Sequence, residues 1–178
     1  KPDLVNFDSD KMLLCEKVDN HQSIEEWIFM YNNAPRYLDR YEAIAKIAKS
    51  DNEAAAKAMT KALNDKYPHL RRITINQIKN AIPFYSKEIK STLLSLSKND
   101  SKSKVRGDAL FALSNYFKDD ELVKSSLING VSEESYYVIG RSLNGLSKVS
   151  HQDALKFAKT FENEENYNIK NAVCNIYA

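Results

Sequence analysis

The chain has only two cysteines, Cys15 and Cys174, and neither has a C-x-x-C partner. That excludes a disulfide framework and a zinc knuckle, and it predicts two buried free thiols. Glycine and proline number four each in 178 residues, few for a turn-rich sheet protein. Ala, Leu, Lys, Glu and Ser instead fill the long segments, which favours helix. No stretch approaches the roughly 20 apolar residues of a membrane span, and no basic-then-apolar leader opens the chain. The formal net charge is only +2, too small for a broad polyanion-binding field, so no nucleic-acid partner is expected. A DNA-base enzyme built on helical repeats would need a basic groove interleaved with aromatics.

Catalytic signatures are missing as well. His21, His69 and His151 are scattered, each without a second His or Cys at metal-ligand spacing, and no H-E-x-x-H occurs. Nor is there a G-x-S-x-G, a P-loop or a dinucleotide fingerprint. The acidic pairs Glu25-Glu26, Asp119-Asp120, Glu133-Glu134 and Glu164-Glu165 stand mostly at helix starts. Carboxylates there complement the positive end of the helix dipole, a simpler role than catalysis. No catalytic residue, metal ligand or cofactor site is expected within these residues.

What the chain does have is helical periodicity. In Ser103 to Tyr116 the residues Val105, Ala109, Ala112, Leu113 and Tyr116 return at the spacing of one helix face. Similar stripes recur from Ser23 onward and predict ten helices in five antiparallel pairs, an all-α superhelix of stacked hairpins. Capping boxes at Ser23 with Glu26 and Ser50 with Glu53 start two of them. Pro68 opens another, Pro83 blocks continuation, and Asn129-Gly130 reads as a C-terminal stop. Other stripes are Tyr37, Tyr41, Ile44, Ala45 and Ala48, and Leu122, Val123 and Leu127. Trp27, at helical spacing from Ile24 and Ile28, reads as core.

Residues 1–20 differ. Leu4 to Phe7 and Met12 to Cys15 are short apolar runs around a polar turn, the pattern of a β-hairpin. An isolated hairpin is marginal in water, so it should pack on the helices or complete a sheet lying upstream. The predicted division is therefore a junction, 1–20, and a helical-repeat domain, 21–178. The Lys1-Pro2 start, without an initiator Met, suggests a processed or excised chain.

Overlaying the second helix of each pair aligns Asp39–Ile47, Leu70–Ile78, Val105–Leu113, Val138–Leu146 and Asn168–Ile176. The period is about 30 to 35 residues, the solenoid range. Ala43, Thr74, Ala109, Ser142 and Ala172 form its small position, where helices can approach closely, and Gly107, Gly140 and Gly145 can serve the same end. Arg40, Arg71 and Arg106 share one position in three copies, with Ile139 and Ile169 in the last two. Such a row can grip a carboxylate, as of a peptide, or a phosphate from the inner face, or act as a structural ladder binding loops and carbonyls between repeats.

V-R-x-x-A-L-x-x-L, seen from Val105 to Leu113, resembles the HEAT-repeat signature. More specific text lies in residues 4 to 48: Leu4-Val5-Asn6-Phe7-Asp8, Met12-Leu13-Leu14, Glu25-Glu26-Trp27-Ile28, and Tyr31 through Ala43 with its Leu38-Asp39-Arg40-Tyr41-Glu42-Ala43. This resembles the junction between the small β-domain and the C-terminal helical domain in zinc aminopeptidases of the aminopeptidase N family, particularly bacterial ones. The resemblance implies a non-catalytic helical domain that walls the substrate chamber. Its partners would be the catalytic and β-domains of the same parent chain and the peptide substrate. Zinc would belong to the parent metalloprotease, because neither H-E-x-x-H nor G-x-M-E-N occurs here. The alternative is a freestanding HEAT-repeat scaffold that binds a protein partner on its concave face.

Overall fold

The computed structural model describes Asp10, Met12 and residues 23–178. The predicted hairpin and junction of residues 1–20 fall almost wholly outside the described residues, as do Cys15 and His21. Among the described residues there are ten α-helices and one short 3-10 helix, with no strand, so the described part is all-α. The chain forms two compact units, the first ending at Ser86 and the second running from Lys87 to Ala178.

The first unit contains α1 (Ile24–Asn33), α2 (Tyr37–Ile47), α3 (Glu53–Ala62), α4 (Pro68–Asn76) and a 3-10 turn, Ile78–Ala81. Ser23 caps α1 through a complete capping box: Glu26 N donates to Ser23 Oγ at 3.3 Å and Ser23 N donates to Glu26 Oε2 at 2.7 Å. α3 starts differently from the sequence expectation. Its cap is Asn52, whose Oδ1 accepts from Ala55 N at 2.8 Å, in place of Ser50. Pro68 takes the first position of α4, where its missing N–H has no intrahelical partner to lose.

In this unit α2 packs on α1, α3 and α4, while α1 and α3 pack on each other, which makes two layers of helices. Met30, Ile44, Ile47, Leu63, Leu70 and Ile75 fill the space between them and are almost wholly buried. The face that α2 buries is Asp39, Ala43, Ile44 and Ile47. It is rotated from the predicted stripe, and Tyr41 is 38% exposed.

The second unit contains most of α5, then α6 (Ser103–Tyr116), α7 (Glu121–Val131), α8 (Tyr136–Val149), α9 (His151–Thr160) and α10 (Tyr167–Tyr177). The whole of α5 spans Ile82–Asn99, with Pro83 in its first turn and a break at Tyr85, where φ is −131° and ψ is 37°. α8 lies at the centre, packed against α6 and α10 on one layer and α7 and α9 on the other. α7 and α9 are joined by the ion pair of Lys124 Nζ with Asp153 Oδ2 at 2.7 Å. That contact, with Ser150 and Lys156, holds the Asp153 carboxyl far below its usual range.

Residues at the small position of the repeat, Ala43, Thr74, Ala109, Ser142 and Ala172, are all fully buried within their units. Close approach explains the glycines too. A Cβ on Gly140 would stand 2.5 Å from the backbone oxygen of Asn168 on α10, and one on Gly145 would stand 2.6 Å from Leu127 Cδ2. Asn129-Gly130 lies at the end of α7, which closes one residue on at Val131, and Gly130 also serves packing, since a Cβ there would collide with Ser142 Oγ and Leu110 Cδ1. Two apolar assignments also change. Leu122 is 64% exposed, because Val123, Leu127 and Val131 form the buried face of α7. Cys174 is exposed rather than buried, since α10 turns Ile169, Ala172, Val173 and Ile176 inward and leaves position 174 off that stripe.

Candidate functional site

The three repeat-position arginines are all engaged with turns. Arg40 on α2 forms an ion pair with Asp65, in the turn between α3 and α4, and its guanidinium carbon lies 4.7 Å from the centre of the Tyr31 ring. The Asp65 side chain is fully buried. It also accepts from Tyr31 Oη and from Tyr67 N, both at 2.9 Å. Burial, and then the Asp65 carboxylate, push the Tyr31 phenol well above its ordinary range, so it stays a donor. Arg71 donates through Nη1 to the Asp65 carbonyl at 2.8 Å.

Arg106 repeats both devices in the second unit. Its Nη1 donates to the Asp100 carbonyl at 2.9 Å, while Nε and Nη2 grip Glu133 in a bidentate pair at 2.9 and 2.7 Å. The Glu133 hydrogen bonds push the guanidinium pKa further up. Each of the three side chains ties the second helix of a pair to a turn of its own or the following pair. Only 16% and 20% of the Arg40 and Arg106 side chains remain exposed.

A different set of side chains gathers on the open face of the second unit's central layer. Helical spacing puts Asp108, Phe111 and Asn115 on one side of α6, and Tyr137, Arg141, Asn144 and Lys148 on one side of α8. Arg141 pairs through Nη2 with the buried Asp108 carboxylate at 3.0 Å and through Nε with Tyr137 Oη at 3.1 Å. Tyr137 in turn donates to Asp108. The Phe111 ring carries two cations: Arg141 Cζ lies 4.6 Å and Lys148 Nζ 4.1 Å from its centre. Lys148 Nζ also donates to Asn115 Oδ1 at 2.6 Å. Burial of its stem, and then the nearby Arg141 charge, lower the Lys148 pKa.

The face continues onto α10. Asn175 donates to Asn144 Oδ1 at 3.2 Å, and Asn144 donates to the Gly140 carbonyl at 3.0 Å. Between α8 and α10 lies a shallow cleft of about 160 Å³ lined by Tyr137, Arg141, Asn144, Asn168 and Asn171, among others. A face of this composition can donate to and accept from a polypeptide backbone while holding an anion. The sequence reading missed it because its residues are chemically unlike one another from copy to copy. The signal was positional: 108, 141 and 171 share one repeat offset, and 115 and 148 share another.

Elsewhere, His69 stacks on Tyr41 with ring centres 6.3 Å apart and bonds Tyr37 through Nδ1, an exposed aromatic group in the first unit. His151 begins α9 and is exposed. Among the described residues no three His, Cys, Asp or Glu side chains are placed to hold a metal ion together, and no helix is long and apolar enough to cross a membrane. No family model matches the chain, and no curated protein matches it either.

Proposed function

We propose that the chain is the non-catalytic C-terminal helical domain of a zinc aminopeptidase of the aminopeptidase N family, a HEAT-like stack of helix pairs that walls the substrate chamber. Its inner helices touch the peptide, and the reacting zinc is held by another domain of the parent polypeptide. The motif text of residues 4 to 48 supports the family reading. The polar face built by α6, α8 and α10 carries the functional one. An extended peptide leaves its N–H and C=O groups unpaired, and a row of side-chain amides such as Asn115, Asn144, Asn171 and Asn175 supplies matching donors and acceptors. The same stack of helix pairs would serve a freestanding scaffold, so the test must separate the two.

The isolated 178 residues should hydrolyse no aminoacyl arylamide, with or without added zinc. Metal-dependent turnover by this chain would overturn the reading. The coding sequence upstream of Lys1 should carry H-E-x-x-H and G-x-M-E-N. A translation start immediately before Lys1 would instead identify the scaffold.

A further inference from the structure

Arg141 and Lys148 bring two positive charges against one aromatic ring, Phe111. Like charges so placed repel, and a fold tolerates them where an anion offsets the repulsion. Asp108 does this for Arg141, from a side chain that is fully buried. Among the described residues no carboxylate lies within ion-pair distance of Lys148, whose hydrogen-bond acceptor is the neutral Asn115 amide. Two cations and one carboxylate leave a single positive charge at the surface. The neighbouring positions on α10, Asn171 and Asn175, are uncharged.

We propose that the Phe111–Arg141–Lys148 cluster is a recognition site for one acidic side chain, Asp or Glu, of a polypeptide lying along α6 and α8. A single carboxylate matches the one uncompensated charge. The amides of Asn115 and Asn144 flank the cluster and suit the backbone on either side of that residue, which a free inorganic anion would not use. The inference rests on the reading of this face as the peptide wall and adds the chemistry of the residue it selects.

The test is fluorescence anisotropy of the 178-residue chain, at low salt, with a short labelled peptide capped at both ends and carrying one central Glu. A second peptide has Gln in its place, and a third has that Gln and a free C-terminal carboxylate. The Glu peptide should bind about tenfold tighter than the Gln peptide, as one charge-assisted contact allows. Lys148→Met should erase that preference while the helical circular dichroism stays unchanged, because Lys148 is an exposed side chain. Equal affinities for Glu and Gln, or a preference that survives Lys148→Met, would overturn the inference. So would a preference that follows the free C-terminus instead of the side chain. If both peptides bind equally and Asn144→Ala weakens both, the peptide-wall reading stands and only the acidic preference falls. If no peptide binds at all, both fall.

Discussion

Replacing Asp65 with alanine should lower the stability of the first unit by about 3–5 kcal/mol, the cost of stranding one partner of a buried ion pair. The Asp65 carboxylate is fully buried and meets Tyr31 Oη, Tyr67 N and the Arg40 guanidinium together. Its loss leaves Arg40 mostly buried beside the Tyr31 ring with its main counter-charge gone. It also frees the first turn of α4, since Tyr67 is the cap residue there. Tyr31→Phe removes one hydrogen bond and should cost about 1 kcal/mol. Because the two changes share one network, the double variant should be less destabilised than the sum of the singles. Trp27, the chain's sole tryptophan, is buried in the same unit, so its fluorescence in a urea titration reports this transition. A loss below about 1 kcal/mol for Asp65→Ala would mean that the turn is not held as described.

Gly140→Val should destabilise the second unit by about 2–3 kcal/mol, the upper range for over-packing. Two opposing effects decide the sign. A side chain at a helical glycine gains up to about 1 kcal/mol of helix propensity, less for a β-branched residue. Against that, the new Cβ would lie 2.5 Å from the Asn168 carbonyl oxygen and 2.9 Å from its carbon. Those are backbone atoms of α10 and cannot rotate away, so the helices must separate along their contact. Gly107 offers the control, because a Cβ there meets the Tyr137 ring at 2.8 Å, a side chain able to shift. Gly107→Ala should therefore cost less than Gly140→Val. Far-UV circular dichroism in urea gives the magnitudes, and amide exchange should show protection lost first in Tyr167–Tyr177. Unchanged exchange there would contradict the close α8–α10 contact.

Much of the helical layout was legible in the residues, because the buried faces recur at 3.6-residue spacing and caps mark several starts. Val105, Ala109 and Leu113, or Val138, Ser142 and Leu146, could be placed by pattern alone. Misplacements arose where two local rules compete. Asn52 and Ser50 are both good caps, and the closer one to the helix won. Gly130 stands one residue before α7 ends, but it is also required by the neighbouring Ser142 and Leu110, which no local rule sees. Buried acids were the least legible. Asp65 and Asp100 each accept a backbone N–H two residues on and each stand six residues before an arginine that binds their carbonyl. That Asp-to-Arg spacing, repeated in Asp65…Arg71 and Asp100…Arg106, was the readable sign. The polar face of α6, α8 and α10 escaped for another reason: the residues at its shared repeat offsets, such as Asp108, Arg141 and Asn171, differ in chemistry from copy to copy.

The most direct measurement is an amide-shift map of the labelled chain titrated with the capped Glu peptide. Saturable shifts are expected along one face, at Phe111, Asn115, Arg141, Asn144, Lys148 and Asn171, with α7 and α9 quiet. Shifts centred on α7 and α9, or none at peptide concentrations that saturate anisotropy, would contradict the assignment of α6, α8 and α10 as the peptide wall.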